Sequence, residues 1–197
     1  ARTVVDGAVP SVQSQINLYL YGSDGLSGTG GVADPNAIYT VFAGGNDIKG
    51  VAAGDFGPTE AFGASAVIPN MVNQLIAAGA KSILVANVPN VGLAPIIAAG
   101  GSDPTQATGL TMGFNAGFAA VDGLPEVALV DTFTTSNVIA ADIANGGPVY
   151  GFTNANDSCA MHNEYGVNPD PSGSCDSYLF YDLLLSLIHI SEPTRPE

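Results

Sequence analysis

Asn46 offers an amide group in a sequence context that suits binding or catalysis. It follows Gly44 and Gly45, which come directly after an apolar run, residues 38–42, with the length and composition of a strand. Glycines let the backbone approach a ligand closely, and an asparagine amide donates two hydrogen bonds without titrating. In open α/β sheets, ligands bind just outside the carboxyl ends of the strands. The same Gly-Gly-Asn-Asp letters are also typical of a simple turn, so the local pattern leaves both interpretations open.

Other groups that could do nucleophilic or acid–base chemistry are few. Ser65 lies in a Gly-Ala-Ser-Ala stretch, but inside a predicted helix with no strand before it, so we expect an ordinary helix serine. His162 has no second Cys or His pair beside it, which argues against a zinc site. Asp182 follows a short apolar run and, from its local context alone, is typical of a surface carboxylate.

The two cysteines, Cys159 and Cys175, lie in a polar stretch, residues 146–177, that we expect to be one long loop. A disulfide closing about 15 residues would contribute roughly 3 kcal/mol in the chain-entropy model. It would also indicate an oxidising compartment. The alternative is two free thiols in a reducing cytosol. The scarcity of lysine and the loop setting favour the disulfide.

Composition bounds the class of protein. Hydrophobic residues make up 46% of the 197 residues and charged residues 11%, which predicts one globular domain with a real core. The net charge is −14 with only four Lys and Arg, so phosphate backbones are repelled and a nucleic-acid partner is excluded. No apolar run reaches the roughly 18 residues of a membrane-spanning helix.

Short apolar strands alternate with helices along the chain, the pattern of a parallel sheet with helices on its faces. We expect strands at 38–42, 82–87 and 127–131, the first two with buried side chains on both faces. Residues 49–57 are expected to be irregular. One helix is expected from Ser11 to a stop at Gly22, and a second over 59–78 with an interruption at Pro69. Two more are expected, one around Leu110, Phe114 and Phe118 and one near 136–144.

Four stretches in this order resemble the GDSL, or SGNH, serine hydrolases, in particular their secreted bacterial esterase and lipase branch. Gly44-Gly45-Asn46-Asp47 resembles the family's Gly-x-Asn-Asp block, and residues 87–95 are similar to its Asn-Leu-Pro-Asp-x-Gly stretch. Phe114-Asn115, in the third predicted helix, also fits the family. Residues 151–154, the two cysteines and residues 178–182 resemble the region that leads into the Asp-x-x-His block. The resemblance extends over most of residues 1–182.

The resemblance implies a flavodoxin-like, three-layer α/β/α fold and hydrolysis of carboxylic esters. In that chemistry a serine attacks the ester carbonyl, a histidine takes its proton, and an aspartate orients the histidine. Asn46 matches the asparagine that donates to the oxyanion, and Asp182 matches the aspartate. The implied substrate is a small ester or a lipid, with no cofactor and no metal. The implied location is secreted, periplasmic or at the cell surface.

Two departures from the family pattern limit this expectation. No Gly-Asp-Ser-like block with the nucleophile is present, and Leu185 stands where the Asp-x-x-His histidine is expected. Residues 185–197, which include His189, resemble the translation of a sequencing-library adapter. We therefore expect a partial hydrolase domain over 1–184 with an incomplete parallel sheet, a non-native tail over 185–197, and an inactive chain.

Two alternative functions follow from the same elements. The first is a non-catalytic secreted α/β domain that binds carbohydrate or a surface partner. The second, a nucleotide-binding doubly wound domain, is disfavoured because no Gly-rich turn joins a strand to a helix.

Overall fold

A computed structural model describes residues 11–23, 27–159 and 175–180 of the chain, and these form a mixed α/β structure. None of the helices in these ranges is long and apolar enough to cross a membrane. The strands are β1 (Ile38–Phe42), β2 (Ser82–Ala86), β3 (Val127–Val130), β4 (Asn154–Ser158) and β5 (Tyr178–Phe180). The helices are α1 (Val12–Tyr21), α2 (Gly45–Ala52), α3 (Pro58–Ser65), α4 (Ile68–Ala77), α5 (Pro95–Ala99), α6 (Pro104–Asn115) and α7 (Thr132–Ala144), with 3₁₀ turns at Val91–Leu93 and Ala116–Ala120.

The chain divides into two compact units. The first comprises Ala1–Pro89 and Gly109–Phe133, and the second comprises Asn90–Thr108 and Thr134–Glu197. The first unit contains a parallel sheet in the order β1-β2-β3, as the predicted α/β pattern requires. The second unit contains a separate sheet in which β4 and β5 pair in parallel.

Helix α1 forms where the sequence predicts it. The hydroxyl of Ser11 accepts a hydrogen bond from the Ser14 N–H at 3.1 Å, which caps the first turn. Ile16 and Leu20 are buried on one face, and the helix ends at Gly22, whose φ is 74°. Such a cap stabilises a helix by about 1 kcal/mol. The predicted start, apolar face and stop are all confirmed.

The long helix predicted over 59–78 is divided in two, as the proline within it requires. Helix α3 ends at Ser65, and α4 begins at Ile68 with Pro69 in its first turn. A proline is tolerated there because its missing N–H has no intrahelical partner at that position. Helix α4 buries an apolar stripe of Ile68, Met71, Val72 and Leu75.

The parallel sheet of the first unit has one covered face and one open face. On the covered face, Val41, Ile83 and Val85 are at most 2% exposed, and Tyr39 contacts Tyr19 of α1 with ring centroids 5.7 Å apart. On the open face, Ile38 is 76% exposed and the other side chains are exposed or half-buried. The residues of this open face are Ile38, Thr40, Phe42, Ser82, Leu84, Ala86, Ala128 and Val130.

The expectation that β1 is buried on both faces is therefore wrong. Only Val41 of this strand is buried. The expectation is half correct for β2, where Ile83 and Val85 are buried while Leu84 and Ala86 are half-buried. An apolar run predicts that a strand can be buried on both sides, but burial also needs a layer of structure over each face. The described residues supply such a layer on one face.

The expectation of an irregular segment over 49–57 is wrong for its first four residues, which are helical, and correct for residues 53–57. Helix α2 begins at Gly45, directly after Gly44, and extends to Ala52. Its four-residue Gly-Gly-Asn-Asp start is thus a helix N-terminus rather than an isolated turn. Glycine and asparagine have low helix propensity in the interior of a helix but are favoured at its start, which explains why the sequence pattern hid this helix.

The second unit has structure where the sequence predicted a loop. Strand β4 lies inside the polar stretch 146–177 and pairs with β5 through Asn154–Tyr178 and Ser158–Phe180, with an irregular register between these pairs. The Asn154 carboxamide oxygen accepts from the N–H groups of Asn156 and Asp157 at 3.0 and 3.1 Å, which organises that irregularity. The sequence predicted no strand here because the segment lacks the alternating apolar pattern of a strand.

A disulfide joins Cys159 to Cys175, directly beyond the carboxyl end of β4. Their Cα atoms are 5.6 Å apart, within the range that a disulfide requires. The preference for a bridge over two free thiols is confirmed. The bridge closes a ring across 16 positions of the sequence.

Candidate functional site

Asn46 lies in the first turn of α2, just outside the carboxyl end of β1. Its side chain is exposed, whereas its neighbour Asp47 is buried and 3% exposed. The first N–H groups of a helix have no intrahelical acceptor, and the helix dipole adds a partial positive charge there. An exposed amide at that position can therefore add its own donors to those of the helix terminus.

Gly44 fixes how the chain enters α2. Its φ of 117° and ψ of −22° lie in the left-handed region, and its carbonyl accepts from the N–H groups of Asp47 and Ile48 at 3.0 and 3.1 Å. A Cβ at Gly44 would lie 2.3 Å from Phe114 Cε1 and 2.6 Å from Val88 Cγ2. Both the backbone conformation and the packing therefore require glycine. The two glycines predicted that the backbone approaches another group closely at this point. The groups beside Gly44 are the side chains of Phe114 and Val88.

Asn87 joins the carboxyl ends of β2 and β3. Its Nδ2 donates to Asp131 Oδ1 at 3.0 Å, and its Oδ1 accepts from Thr132 Oγ1 at 2.9 Å and from the Phe133 N–H at 3.0 Å. The main-chain carbonyl of Asn87 is a second acceptor for the same Thr132 hydroxyl proton. Asn87 is 9% exposed, so each of these bonds satisfies a buried polar atom. The network holds the start of α7 against the end of β2.

Asn115 holds the next residue of the same loop. Its Oδ1 accepts from the Val88 N–H at 2.9 Å, and its Nδ2 donates to the Val88 carbonyl at 2.8 Å. Val88 lies beyond the end of β2, so its backbone groups need partners outside the sheet ladder. One side chain of α6 supplies both.

In the second unit, Asn90 organises the loop that continues from this point. Its Oδ1 accepts from the Gly92 N–H and from Thr108 Oγ1, and its Nδ2 donates to Asn137 Oδ1 at 2.8 Å. Its own N–H donates to Ser136 Oγ at 2.9 Å. Asn90 is 6% exposed, and its role is structural.

Ser65 also has a structural role, as the sequence predicts for a helix serine. It is the last residue of α3, is 5% exposed, and its hydroxyl donates to the Phe62 carbonyl at 2.8 Å. That back-bonding to the preceding turn is the usual state of a serine in a helix.

Several residues named from the sequence lie outside the described residues: Asp182, Leu185, His162 and His189. Their predicted roles stay predictions. Within the described ranges, no three Asp, Glu, His or Cys side chains are grouped so that they could hold a metal ion.

The supporting roles of Asn87 and Asn115 were not predicted. Both residues belong to the stretches that carry the family resemblance, but no role was inferred for either of them. The available signal was an uncharged polar residue at the end of a buried strand or helix, where backbone groups lose their ladder partners.

Comparison with protein-family models gives no match for this chain, and no curated protein matches it significantly.

Proposed function

We propose that this chain carries the oxyanion-stabilising part of a GDSL-type esterase or lipase site. Asn46 is the donor, and the bond to be cleaved in the complete site is a carboxylic ester. The observation that carries the proposal is the exposed Asn46 amide at the start of α2, outside the carboxyl end of β1. Amide donors at that position suit an oxygen that becomes negative when an ester carbonyl is attacked.

The complete reaction needs a nucleophile and a base that the sequence does not supply in the family's pattern. No Gly-Asp-Ser-like block is present, and position 185 is leucine. Asp182 keeps the role that the resemblance gives it, which is to orient a histidine. We expect the chain to release no p-nitrophenol from p-nitrophenyl butyrate above a denatured-protein control. Turnover that is titrated by a serine-directed phosphonate ester would contradict the assignment.

The oxyanion role is tested by binding rather than by turnover. Hexylphosphonate, a tetrahedral anion with a short alkyl chain, imitates the charged intermediate. Two or three charge-assisted hydrogen bonds correspond to a dissociation constant on the order of 1 mM. The titration is followed by the NMR signals of the Asn46 side-chain amide, at about 0.15 M salt to screen the acidic surface.

Two matched variants each replace an asparagine amide with a carboxylate, one after the end of β1 and one before its start. Asn46→Asp removes the donors and adds a repelling charge, so binding should be lost. Asn36→Asp makes the same change at an exposed position before β1 and should bind as wild type. Equal binding by Asn46→Asp and wild type would refute the oxyanion role. Absence of binding in the wild type would also count against the oxyanion role.

A further inference from the structure

Asn115 and Asn46 are connected through two intermediate residues. The Asn115 carboxamide makes both hydrogen bonds to the main chain of Val88. This is the pairing that a neighbouring strand would offer, and it fixes the position and the orientation of the Val88 peptide groups. Val88 is 0% exposed, so its side chain cannot move away without opening a cavity.

Val88 in turn packs on the residue that starts α2. Its Cγ2 and the ring of Phe114, which precedes Asn115, occupy the space where a Cβ of Gly44 would lie. The Gly44 carbonyl accepts the first hydrogen bonds of α2, and Asn46 is two residues further along. One end of α6 thus contacts the start of α2 twice, directly through Phe114 and through Val88.

We propose that Asn115 is a positioning residue that sets the orientation of the Asn46 amide. It acts by holding Val88 against Gly44, and it does not touch a ligand itself. The importance of that orientation rests on the proposed function, because a developing oxyanion needs donors at fixed points. The positioning itself is a property of the fold and can be measured without a ligand.

The alternative is that Asn115 only stabilises the fold, as any half-buried, hydrogen-bonded asparagine does. The two roles differ in what a substitution changes. If Asn115 only stabilises the fold, a substitution lowers the free energy of unfolding and leaves the folded protein around Asn46 unchanged. If Asn115 is a positioning residue, a substitution alters the NMR signals and the hydrogen exchange at the start of α2 within the folded protein.

Asn115→Ala tests this difference. We expect shifted signals of the Asn46 side-chain amide and of the Gly45 N–H. We also expect hydrogen exchange of the Val88 N–H that is about five- to tenfold faster, the factor that one net hydrogen bond contributes. Hexylphosphonate binding should weaken by a similar factor. Asn115→Asp keeps the acceptor for the Val88 N–H but not the donor to the Val88 carbonyl. Its signal shifts, exchange rate and hexylphosphonate affinity should therefore lie between those of wild type and Asn115→Ala.

The control is Asn90→Ala, which removes a buried, hydrogen-bonded asparagine two positions after Val88. It should lose stability and keep the wild-type signals of Asn46. Should Asn115→Ala fail to fold, Val88→Ala retains the backbone bonds of Asn115 and removes the contact with Gly44, and it should shift the Asn46 signals.

Unchanged Asn46 signals in folded Asn115→Ala or Val88→Ala would overturn the proposal. Failure of the wild type to bind hexylphosphonate would count against the proposed function alone, since the signals of Asn46 are read without ligand.

Discussion

The side-chain amide of Asn87 donates a 3.0 Å hydrogen bond to the carboxylate of Asp131 and so ties the carboxyl end of β2 to that of β3. The edge of the sheet at which Asn46 lies is thus held together by polar side chains rather than by apolar packing alone. Asn87 also accepts from the Phe133 N–H in the first turn of α7, and Asn115 accepts from the Val88 N–H beyond the end of β2, so both side chains satisfy backbone groups that lack partners in the sheet ladder.

Asn87→Ala should be strongly destabilising. The substitution removes the acceptor that the Phe133 N–H now uses and the donor to Asp131, while the Thr132 hydroxyl keeps the main-chain carbonyl of residue 87 as an acceptor. The expected loss in the free energy of unfolding is about 2–3 kcal/mol. Chemical denaturation measures it, with Asn145→Ala as the control, because Asn145 is exposed and its side chain donates to the Ala141 carbonyl of the preceding helix, α7. The control should change stability by less than about 0.5 kcal/mol. Equal effects of the two substitutions would contradict the role given to Asn87.

The disulfide should hold β4 against β5. Two-stranded sheets are marginal by themselves, and β5 has only three residues. Replacing both Cys159 and Cys175 with serine should remove roughly 3 kcal/mol. Hydrogen exchange of the Asn154 and Tyr178 N–H groups should rise together. Mass spectrometry of protein from an oxidising compartment should find the two cysteines bonded. Two free thiols there would contradict the bridge and the secreted location.

Strand β1 should promote self-association. It pairs only with β2 among the described residues, and it contains neither lysine nor proline to block a further strand. Exposed Ile38 and Phe42 add apolar area beside that edge. Sedimentation over the micromolar range should show mass increasing with concentration. Thr40→Lys should suppress the increase, whereas Thr153→Lys, the same change at an exposed position outside β1, should not. A wild type that stays monomeric throughout would refute this prediction.

The Tyr19–Tyr39 contact should make stability depend on alkaline pH. Burial, and then the 2.8 Å hydrogen bond with Tyr19, raise the pKa of Tyr39 above its ordinary value of 10.0. The neutral phenol is therefore favoured in the folded state. Its contribution is complete below pH 10 and is lost as the pH rises through the raised pKa. Chemical denaturation of wild type and Tyr39→Phe between pH 9 and pH 11 gives the difference in their free energies of unfolding. The stability advantage of the wild type should shrink as the pH rises. A difference that grows with pH would contradict the direction of the shift.

Local patterns were sufficient for much of the fold. The 3.6-residue spacing of Ile16 and Leu20, the cap at Ser11 and the break at Pro69 each depend on residues close in sequence, so they could be predicted. The alternation of strands and helices was sufficient to predict that β1, β2 and β3 form a parallel sheet.

What could not be predicted depends on contacts between distant residues. The exposure of Ile38 depends on which layers cover the sheet, and the apolar pattern of β1 carries no such information. The supporting bonds from Asn115 to Val88 join residues 27 positions apart. Asn46 itself was identified through a glycine-rich turn at the end of a strand, and the helix that begins there was missed because its first residues are poor helix formers.

The central claim, that Asn46 donates to an oxyanion, is tested most directly by a crystal structure with hexylphosphonate bound. We predict a phosphonate oxygen about 2.7–3.1 Å from Asn46 Nδ2, in front of the first turn of α2. A phosphonate bound elsewhere, with the Asn46 amide turned away from it, would contradict the claim.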